Sequence, residues 1–223
     1  MTDQQLLVVL PHPDDEAFGV AGTILAHRAQ GNDATYICLT LGEMGRNMGD
    51  PVFANRESLP EVRKQELEEA CSRLGIEDLR RFGMRDKTVE FADQDSLVER
   101  IFDVIEDVRP SRVITFYPGF AVHPDHDATG LATALAIKKL PKEERPVVWA
   151  IAFKEGCEEI IGEPDIVRDV SAFAEEKLRV IDAHKSQTSG VIEVMKAQYE
   201  EGDEEIIRRM TTERFWTLDV DQY

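Results

Sequence analysis

The sequence of 223 residues predicts an α/β protein, a three-layer sandwich around a mostly parallel sheet. Two observations carry this. Short apolar runs alternate with longer segments of helical spacing, the pattern of βαβ units. Two of those runs also end in the same tripeptide: His12-Pro13-Asp14 follows Leu6-Leu7-Val8-Val9-Leu10, and His123-Pro124-Asp125 follows Val113-Ile114-Thr115-Phe116. Pro and Gly are scattered and no longer repeat is visible, so residues 1–223 read as one domain.

Leu6 to Leu10 reads as a first buried strand. A helix from about Glu16 to Gln30 ends at Gly31, and Ala34 to Thr40 supplies the second strand. The polar, Gly- and Met-containing stretch from Leu41 to Asn55 is longer than a plain connection, which marks it as a lid or substrate loop; Met44 and Met48 either line its entrance or simply pack there. Pro60 and Glu61 open a helix whose Val62, Leu67, Ala70, Cys71 and Leu74 form one stripe, with Gly75 capping its end. Leu79 to Phe82 is a short third strand. Ser96-Leu97-Val98-Glu99 spells a capping box for a helix that turns Ile101, Val104, Ile105 and Val108 inward. Arg109-Pro110 ends it, and strand four begins near Arg112. Val147 to Phe153 and Asp165 to Val170 are further strands, and Ser171 caps a helix carrying Phe173, Leu178 and Ile181. Helices over Val191 to Ala197 and Glu204 to Met210 follow, and Phe215 to Leu218 closes the sheet as an edge strand. Right-handed crossovers give the order 3-2-1-4-5, a Rossmann-like arrangement with strands one and four side by side. Both His-Pro-Asp turns then face one crevice at the carboxyl edge.

The formal charge of -18, from 44 acidic and 26 basic side chains, argues against a nucleic-acid partner, because phosphate binding draws on clustered Lys and Arg. Its simplest role is solubility. The start, Met1 to Gln5, has no positive segment, and the apolar run after it stops at Pro11, too short to cross a bilayer; the expectation is a cytoplasmic protein with no membrane partner. Three cysteines without a Cys-x-x-Cys pair fit reduced thiols. Gly19 and Gly22 lack the spacing of a dinucleotide-binding turn, and His12 to Glu16 fill the place where phosphates would sit.

With Pro13 at the first helical position, His12 and Asp15 stand three residues apart on a forming turn and aim at one point, with Asp14 beside them. The same reasoning brings His123 and His126 to one side of the second turn. Two imidazoles and a carboxylate that leave positions open for water match a catalytic metal better than a closed structural one. Spacing does not choose between His123 and His126, and pairings through Asp14, Asp125 or Asp127 are also open. Zinc suits the donor set; ferrous iron or another divalent ion fits it as well.

Pro11-His12-Pro13-Asp14-Asp15-Glu16 with His123-Pro124-Asp125-His126 resembles the zinc-dependent N-acetylglucosaminyl deacetylases, the LmbE-like or PIG-L family that includes the mycothiol and bacillithiol biosynthetic enzymes. The likeness extends through Thr40-Leu41-Gly42-Glu43, Arg63-x-x-Glu66, Leu74-Gly75, Asp86 and His184-x-Ser186-Gln187, and so spans most of the chain. The loop from Gly42 to Gly49 is most similar to the second type of bacillithiol deacetylase. The resemblance implies that His12, Asp15 and His126 ligate the metal. It makes Asp14 the general base that takes a proton from the attacking water and passes it to the leaving amine. His123 becomes the oxyanion stabiliser or acid, its tautomer fixed by Asp125. The implied reaction removes the acetyl group from an N-acetylglucosamine conjugate, N-acetylglucosaminyl malate on the bacillithiol route, and the resemblance favours a homo-oligomer.

The chain departs from the mycothiol branch at two positions. Ala121 stands where that branch has a Tyr, leaving Tyr117 as the nearest aromatic hydroxyl. Arg46 stands where it has a Glu, a change of sign that suits a substrate with an added carboxylate such as malate. Arg63, Glu43 and Asp86 complete the expected substrate contacts. The plain alternatives are a solvated Arg63 paired with Glu66 or Glu61, and an Asp86 that only caps a turn. His27 reads as a helix-face residue, His184 as an imidazole favoured by a helix dipole, and Glu66 to Glu69 and Glu200 to Glu205 as solvated faces. Two other activities use the same residues: amide cleavage of thiol S-conjugates, and metal-stabilised binding of an amino sugar without turnover. The latter has no use for an unligated Asp14.

Overall fold

The computed structural model describes residues 4–223; residues 1–3, part of the start read above, lie outside it. Seven strands form one sheet in the order β3-β2-β1-β4-β5-β7-β6. The strands β1 (Leu6–Leu10), β2 (Ala34–Thr40), β3 (Asp78–Met84), β4 (Arg112–Phe116) and β5 (Val147–Ile151) are parallel neighbours in the expected order. Both β1 and β2 are buried along their whole length, which is why they read as continuous apolar runs rather than alternating ones.

The last part of the sheet differs from expectation. The segment read as a closing edge, β7 (Thr212–Thr217), inserts antiparallel between β5 and β6 (Ile166–Asp169), and β6 is the edge. Phe215 and Trp216 are buried on β7, whereas β6 exposes Val167 and Asp169, so the more apolar strand takes the interior place.

One face of the sheet is covered by α1 (Asp15–Gly19), α2 (Ala21–Arg28), α3 (Leu59–Leu74), α7 (Ala174–Ala183), α9 (Ile192–Glu201) and α10 (Glu204–Thr211). The other face carries α4 (Gln94–Val108) and α5 (Pro124–Lys138). The short helices α6 (Cys157–Ile161) and α8 (Lys185–Thr188) lie in the later connections. Among the described residues no helix is long and apolar enough to cross a membrane.

Three helix starts depart from the sequence reading. The helix expected from Glu16 to Gln30 is two helices, broken where Val20 leaves helical geometry at φ -142. Asp93, not Ser96, caps α4, its carboxylate accepting the Ser96 N–H at 2.8 Å. Ser171 gives its N–H to Asp169 while α7 begins at Ala174. At α4 the carboxylate outcompetes the hydroxyl because the charged acceptor makes the stronger bond to a helix-terminal N–H.

Neighbouring β1 and β4 deliver the two His-Pro-Asp turns to the same edge of the sheet. Gly130 lets α5 lie hard against the end of β4, since a Cβ there would stand 2.2 Å from the Phe116 carbonyl oxygen. That close approach stacks His126 on the Phe116 ring, with centroids 4.0 Å apart and planes 9° from parallel.

Candidate metal centre

The two turns fold differently despite their shared tripeptide. In the second, Pro124 opens α5 as expected and His123 is the N-cap, its Nδ1 accepting the Asp125 N–H at 3.1 Å. In the first, Pro13 lies outside the helix. Asp14 takes the N-cap position with a left-handed backbone, φ 92, and α1 begins at Asp15. His12 and Asp15 therefore converge through a tight turn closed by the His12 N–H donating to Asp15 Oδ2 at 2.9 Å, not through successive positions of a helix.

Three donor groups meet between the turns. His12 Nδ1 lies 3.2 Å from His126 Nε2 and 3.4 Å from Asp15 Oδ2, and His126 Nε2 lies 3.3 Å from Asp15 Oδ1. Each imidazole is held from behind. His12 Nε2 faces Asp125 Oδ2 and Asp86 Oδ1, both at 3.2 Å, and His126 donates Nδ1–H to the Ala121 carbonyl at 3.1 Å. These partners leave the lone pairs of His12 Nδ1 and His126 Nε2 pointing at one another, an arrangement suited to a shared cation. Donor atoms about 2.0–2.1 Å from a tetrahedral zinc ion stand about 3.3–3.4 Å apart, so the observed separations fit such an ion. The surroundings favour positive charge at this point: burial opposes a charge on His12, but Asp125, Asp15 and Asp86 raise its pKa well above the ordinary value, so a bound cation takes the place of a proton. Burial likewise opposes the Asp15 carboxylate, yet His126 and His12 hold its pKa far below normal.

Asp125 sits apart from the role expected for it. It is fully buried, and its carboxylate accepts the N–H groups of Lys87 at 2.7 Å and Val89 at 3.1 Å as well as facing His12. It thus orients His12, the imidazole from the other turn, instead of His123; only its backbone N–H reaches His123. Burial, then the neighbouring His12 and His126, lower the His123 pKa and favour its neutral form. With Nδ1 accepting a bond, the proton of that neutral ring is on Nε2.

Asp14 lines the cleft beside the three donors, its side chain 25% exposed. Burial raises its pKa to about 6 against the pull of Arg63. Arg63 is not the solvated residue of the plain alternative. It is buried on α3 and donates to Asp14 Oδ2 at 2.8 Å, to the Gly42 carbonyl at 2.7 Å and to the Pro13 carbonyl. Gly42, at φ +59, is the residue that admits it, because a Cβ there would overlap the guanidinium at 1.8 Å.

The cleft encloses about 290 Å³ and is also lined by Met44, Gly45, Arg46, Asp86 and Lys87. Arg46 is exposed at its rim. Glu43 and Asp86 fasten the substrate loop: Asp86 donates its N–H to Glu43 Oε1 at 3.0 Å and accepts the Met44 N–H at 2.8 Å. Tyr117 does not line the cleft; it packs edge-on against Phe120.

Sequence reasoning missed the support beneath Asp14. Glu16 is fully buried and accepts the Asp14 N–H at 3.1 Å, the Tyr36 hydroxyl at 3.1 Å and His184 Nε2 at 2.6 Å. His184 is therefore a buried partner of Glu16, not merely a dipole-stabilised ring. Glu66, read as solvated, is buried too and accepts both the N–H and the hydroxyl of Ser186 at 2.6 Å. Gln187 bonds the Asn47 carbonyl, which ties the same segment to the substrate loop. Tyr36 carried a usable signal, since a phenol inside an apolar strand needs a polar partner. His27, as expected, has no place in the cleft and bonds the Asp33 carbonyl.

Fold and site together define a class: an open α/β sheet with an imidazole and carboxylate cluster at the carboxyl edge, at the point where the strand order reverses. The chain belongs to the PIG-L family, described as GlcNAc-PI de-N-acetylase, whose model matches residues 7–137. A Bacillus cereus protein named "Probable N-acetyl-alpha-D-glucosaminyl L-malate deacetylase 2" is 48% identical over 215 residues, covering 96% of this chain and 98% of its own length. A Bacillus subtilis protein of the same name is 46% identical over 214 residues, covering 96% and 97%. The solved N,N'-diacetylchitobiose deacetylase of Pyrococcus horikoshii shares the fold, with a TM-score of 0.75 at 22% identity over 99% of this chain and 85% of its own.

Proposed function

We propose that this chain is a metal-dependent deacetylase that hydrolyses the acetamide of an N-acetylglucosamine conjugate, N-acetylglucosaminyl malate of bacillithiol biosynthesis, with zinc as its ion. The observation that carries the reading is the convergence of His12 Nδ1, Asp15 and His126 Nε2 within 3.4 Å of one another, with Asp14 alongside and bonded to none of them. The names of the two Bacillus relatives, matched over nearly the whole chain, support the choice of substrate. His12, Asp15 and His126 would hold the ion; the Nδ1 of His123 is already committed to the Asp125 N–H, which favours His126 over His123 as the second imidazole ligand. A divalent ion bound there supplies Lewis-acid polarisation of the amide carbonyl and eases deprotonation of water near neutral pH.

The remaining work falls to this chain's own groups. Asp14, with a pKa of about 6, is ionised at neutral pH and accepts the proton of the attacking water, then releases it to the departing amine. A base whose pKa lies just below the working pH takes up that proton more readily than an ordinary carboxylate would. The Arg63 fork fixes the orientation of Asp14 while it does so. The Nε2–H of neutral His123 is a donor for the negative charge that develops on the carbonyl oxygen, a role that no tyrosine fills in this cleft. Arg46 and Lys87 give the cleft local positive charge in a chain of net charge -18, which suits the carboxylates of malate.

Residues 1–223 then act as a single catalytic domain. Cys38, Cys71 and Cys157 are all free and buried, which agrees with a reducing compartment such as the cytoplasm. Mass spectrometry of product from N-acetylglucosaminyl malate, with and without added zinc, tests the proposal. The expected outcome is metal-dependent loss of one acetyl group and release of a free amine. Cleavage of thiol S-conjugates in preference, or binding of the sugar without product, would displace it.

A further inference from the structure

We infer that the opposite edge of the sheet carries a second binding site, for a phosphate-class oxyanion. A separate cleft of about 220 Å³ opens there, lined by Gln4, Leu6, Thr23, His27, Arg112 and Arg168 together with Gln30. Leu6 begins β1, whereas the His12 turn follows its end, so the whole strand, roughly 15 Å at about 3.3 Å per residue, separates this cleft from the candidate metal centre.

The cations of this cleft lack partners among the described residues: neither Arg112 nor Arg168 forms an ion pair or donates a side-chain hydrogen bond, and the Nε atoms of both are buried without a partner. The two guanidiniums are instead gathered on one indole, with Cζ atoms 4.0 and 5.7 Å from the centroid of Trp149. Like charges brought together on one ring repel, and the chain has acids to spare, 44 against 26 bases. Among the described residues, none of the nearby acids is spent here. Glu213 lies opposite Arg168 in strand register, but its carboxylate accepts Lys177 and the N–H groups of Gly22 and Thr23. Asp33, whose carbonyl bonds His27, turns its carboxylate to Arg28.

A neutral donor completes the set. Thr23 is 3% exposed, and its Oγ1 is buried with no partner although its own N–H is bonded to Glu213. A buried hydroxyl left unmatched is costly and calls for an acceptor. Two guanidiniums, a hydroxyl and the side-chain amides of Gln4 and Gln30 form a donor-rich wall with no carboxylate lining it among the described residues, the complement of an anion with oxygens on several sides. The volume is several times the ~30 Å³ of a liquid water, room for phosphate with its hydration or for a phosphomonoester.

The test is calorimetric titration of the full chain with inorganic phosphate at fixed ionic strength, with thermal unfolding and tryptophan emission followed in parallel. The expected result is a saturable one-site isotherm, a rise in Tm with phosphate, and affinity weakened by about tenfold or more in both Arg168→Gln and Arg112→Gln. Unfolding curves without phosphate establish that each variant is folded, and Thr23→Val gives a third, uncharged probe. No saturable heat in the unaltered protein overturns the site. So does an isotherm unchanged in the arginine variants, which would place phosphate elsewhere, at the candidate metal centre for instance. Binding of L-malate but not phosphate at the same arginines would overturn the phosphate class.

Discussion

Replacing Arg63 by Gln tests the electrostatics of the proposed base. Asp14 is pushed up to about 6 by burial and would stand higher without the guanidinium 2.8 Å from its carboxylate. For unit charges at that separation, Coulomb's law gives about 1.5 kcal/mol even at a dielectric of about 80, close to one pKa unit, and more at the lower effective values of a partly buried site. Loss of an adjacent Arg therefore raises an Asp by about 1 to 3 units. Because the base works only when ionised, the acid limb of kcat/KM moves upward by that amount. Activity at pH 6 falls by about fivefold or more, since the unaltered base is itself half protonated there, and much of the loss is recovered at pH 9. Arg63→Lys separates charge from geometry: it retains the positive charge but not the fork that also bonds the Pro13 and Gly42 carbonyls, so its acid limb stays near that of the unaltered protein while kcat drops. The measurement is amine release from N-acetylglucosaminyl malate across pH 5 to 9.5 at saturating zinc. An unmoved acid limb in Arg63→Gln would refute both the pairing and the assignment of Asp14 to that limb.

Three further outcomes are expected. Asp14→Asn lowers turnover by about 10²- to 10⁴-fold while elemental analysis finds the metal content unchanged, and normal turnover would remove Asp14 from the mechanism. Chelation abolishes amine release and lowers Tm, zinc restores both, and His126→Ala shows neither stoichiometric metal nor a zinc-dependent Tm. His184 has its pKa raised above 6.5 by Glu16 and Asp14, although burial opposes this. A basic group with a raised folded-state pKa contributes stability that is complete below its unfolded value and disappears as pH rises through the folded one. His184→Ala should therefore lose more stability at pH 6 than at pH 9 in urea titrations, and an equal loss at both would mean that the ring is neutral throughout.

The parts of this protein visible in its sequence are those written in local periodicity. The apolar runs of β1 and β2, the helix ended by Gly75 and the order of the first five strands follow from patterns within a dozen residues and from the handedness of crossovers. The end of the sheet was not legible, since the placing of β7 between β5 and β6 depends on which strand buries Phe215 and Trp216 best. The burial of Arg63 and Glu66 did leave a trace. Arg63, Leu67, Ala70 and Leu74 share one helical face and Glu66 adjoins it, so both charges lie in phase with the apolar stripe and point inward with it. Charged residues on a buried stripe require partners, and Asp14 and Ser186 are those partners.

The two His-Pro-Asp turns look equivalent in sequence, and the family resemblance pairs Asp125 with the His123 of its own turn. Their backbones separate them. The left-handed conformation at residue 14 turns that carboxylate toward the cleft and Arg63, whereas Asp125, in the first turn of α5, is fully buried behind the imidazole of the opposite strand. One Asp thus remains available to a substrate proton and the other fixes which nitrogen of His12 faces the three-donor cluster. Cross-bracing of this kind cannot be inferred from either tripeptide alone, because it exists only once β1 and β4 are neighbours and the Lys87 and Val89 amides arrive to hold Asp125 in place. It also makes the geometry of the cluster depend on both turns at once, so Asp125→Asn should disturb metal affinity even though its side chain lies outside the donor triangle.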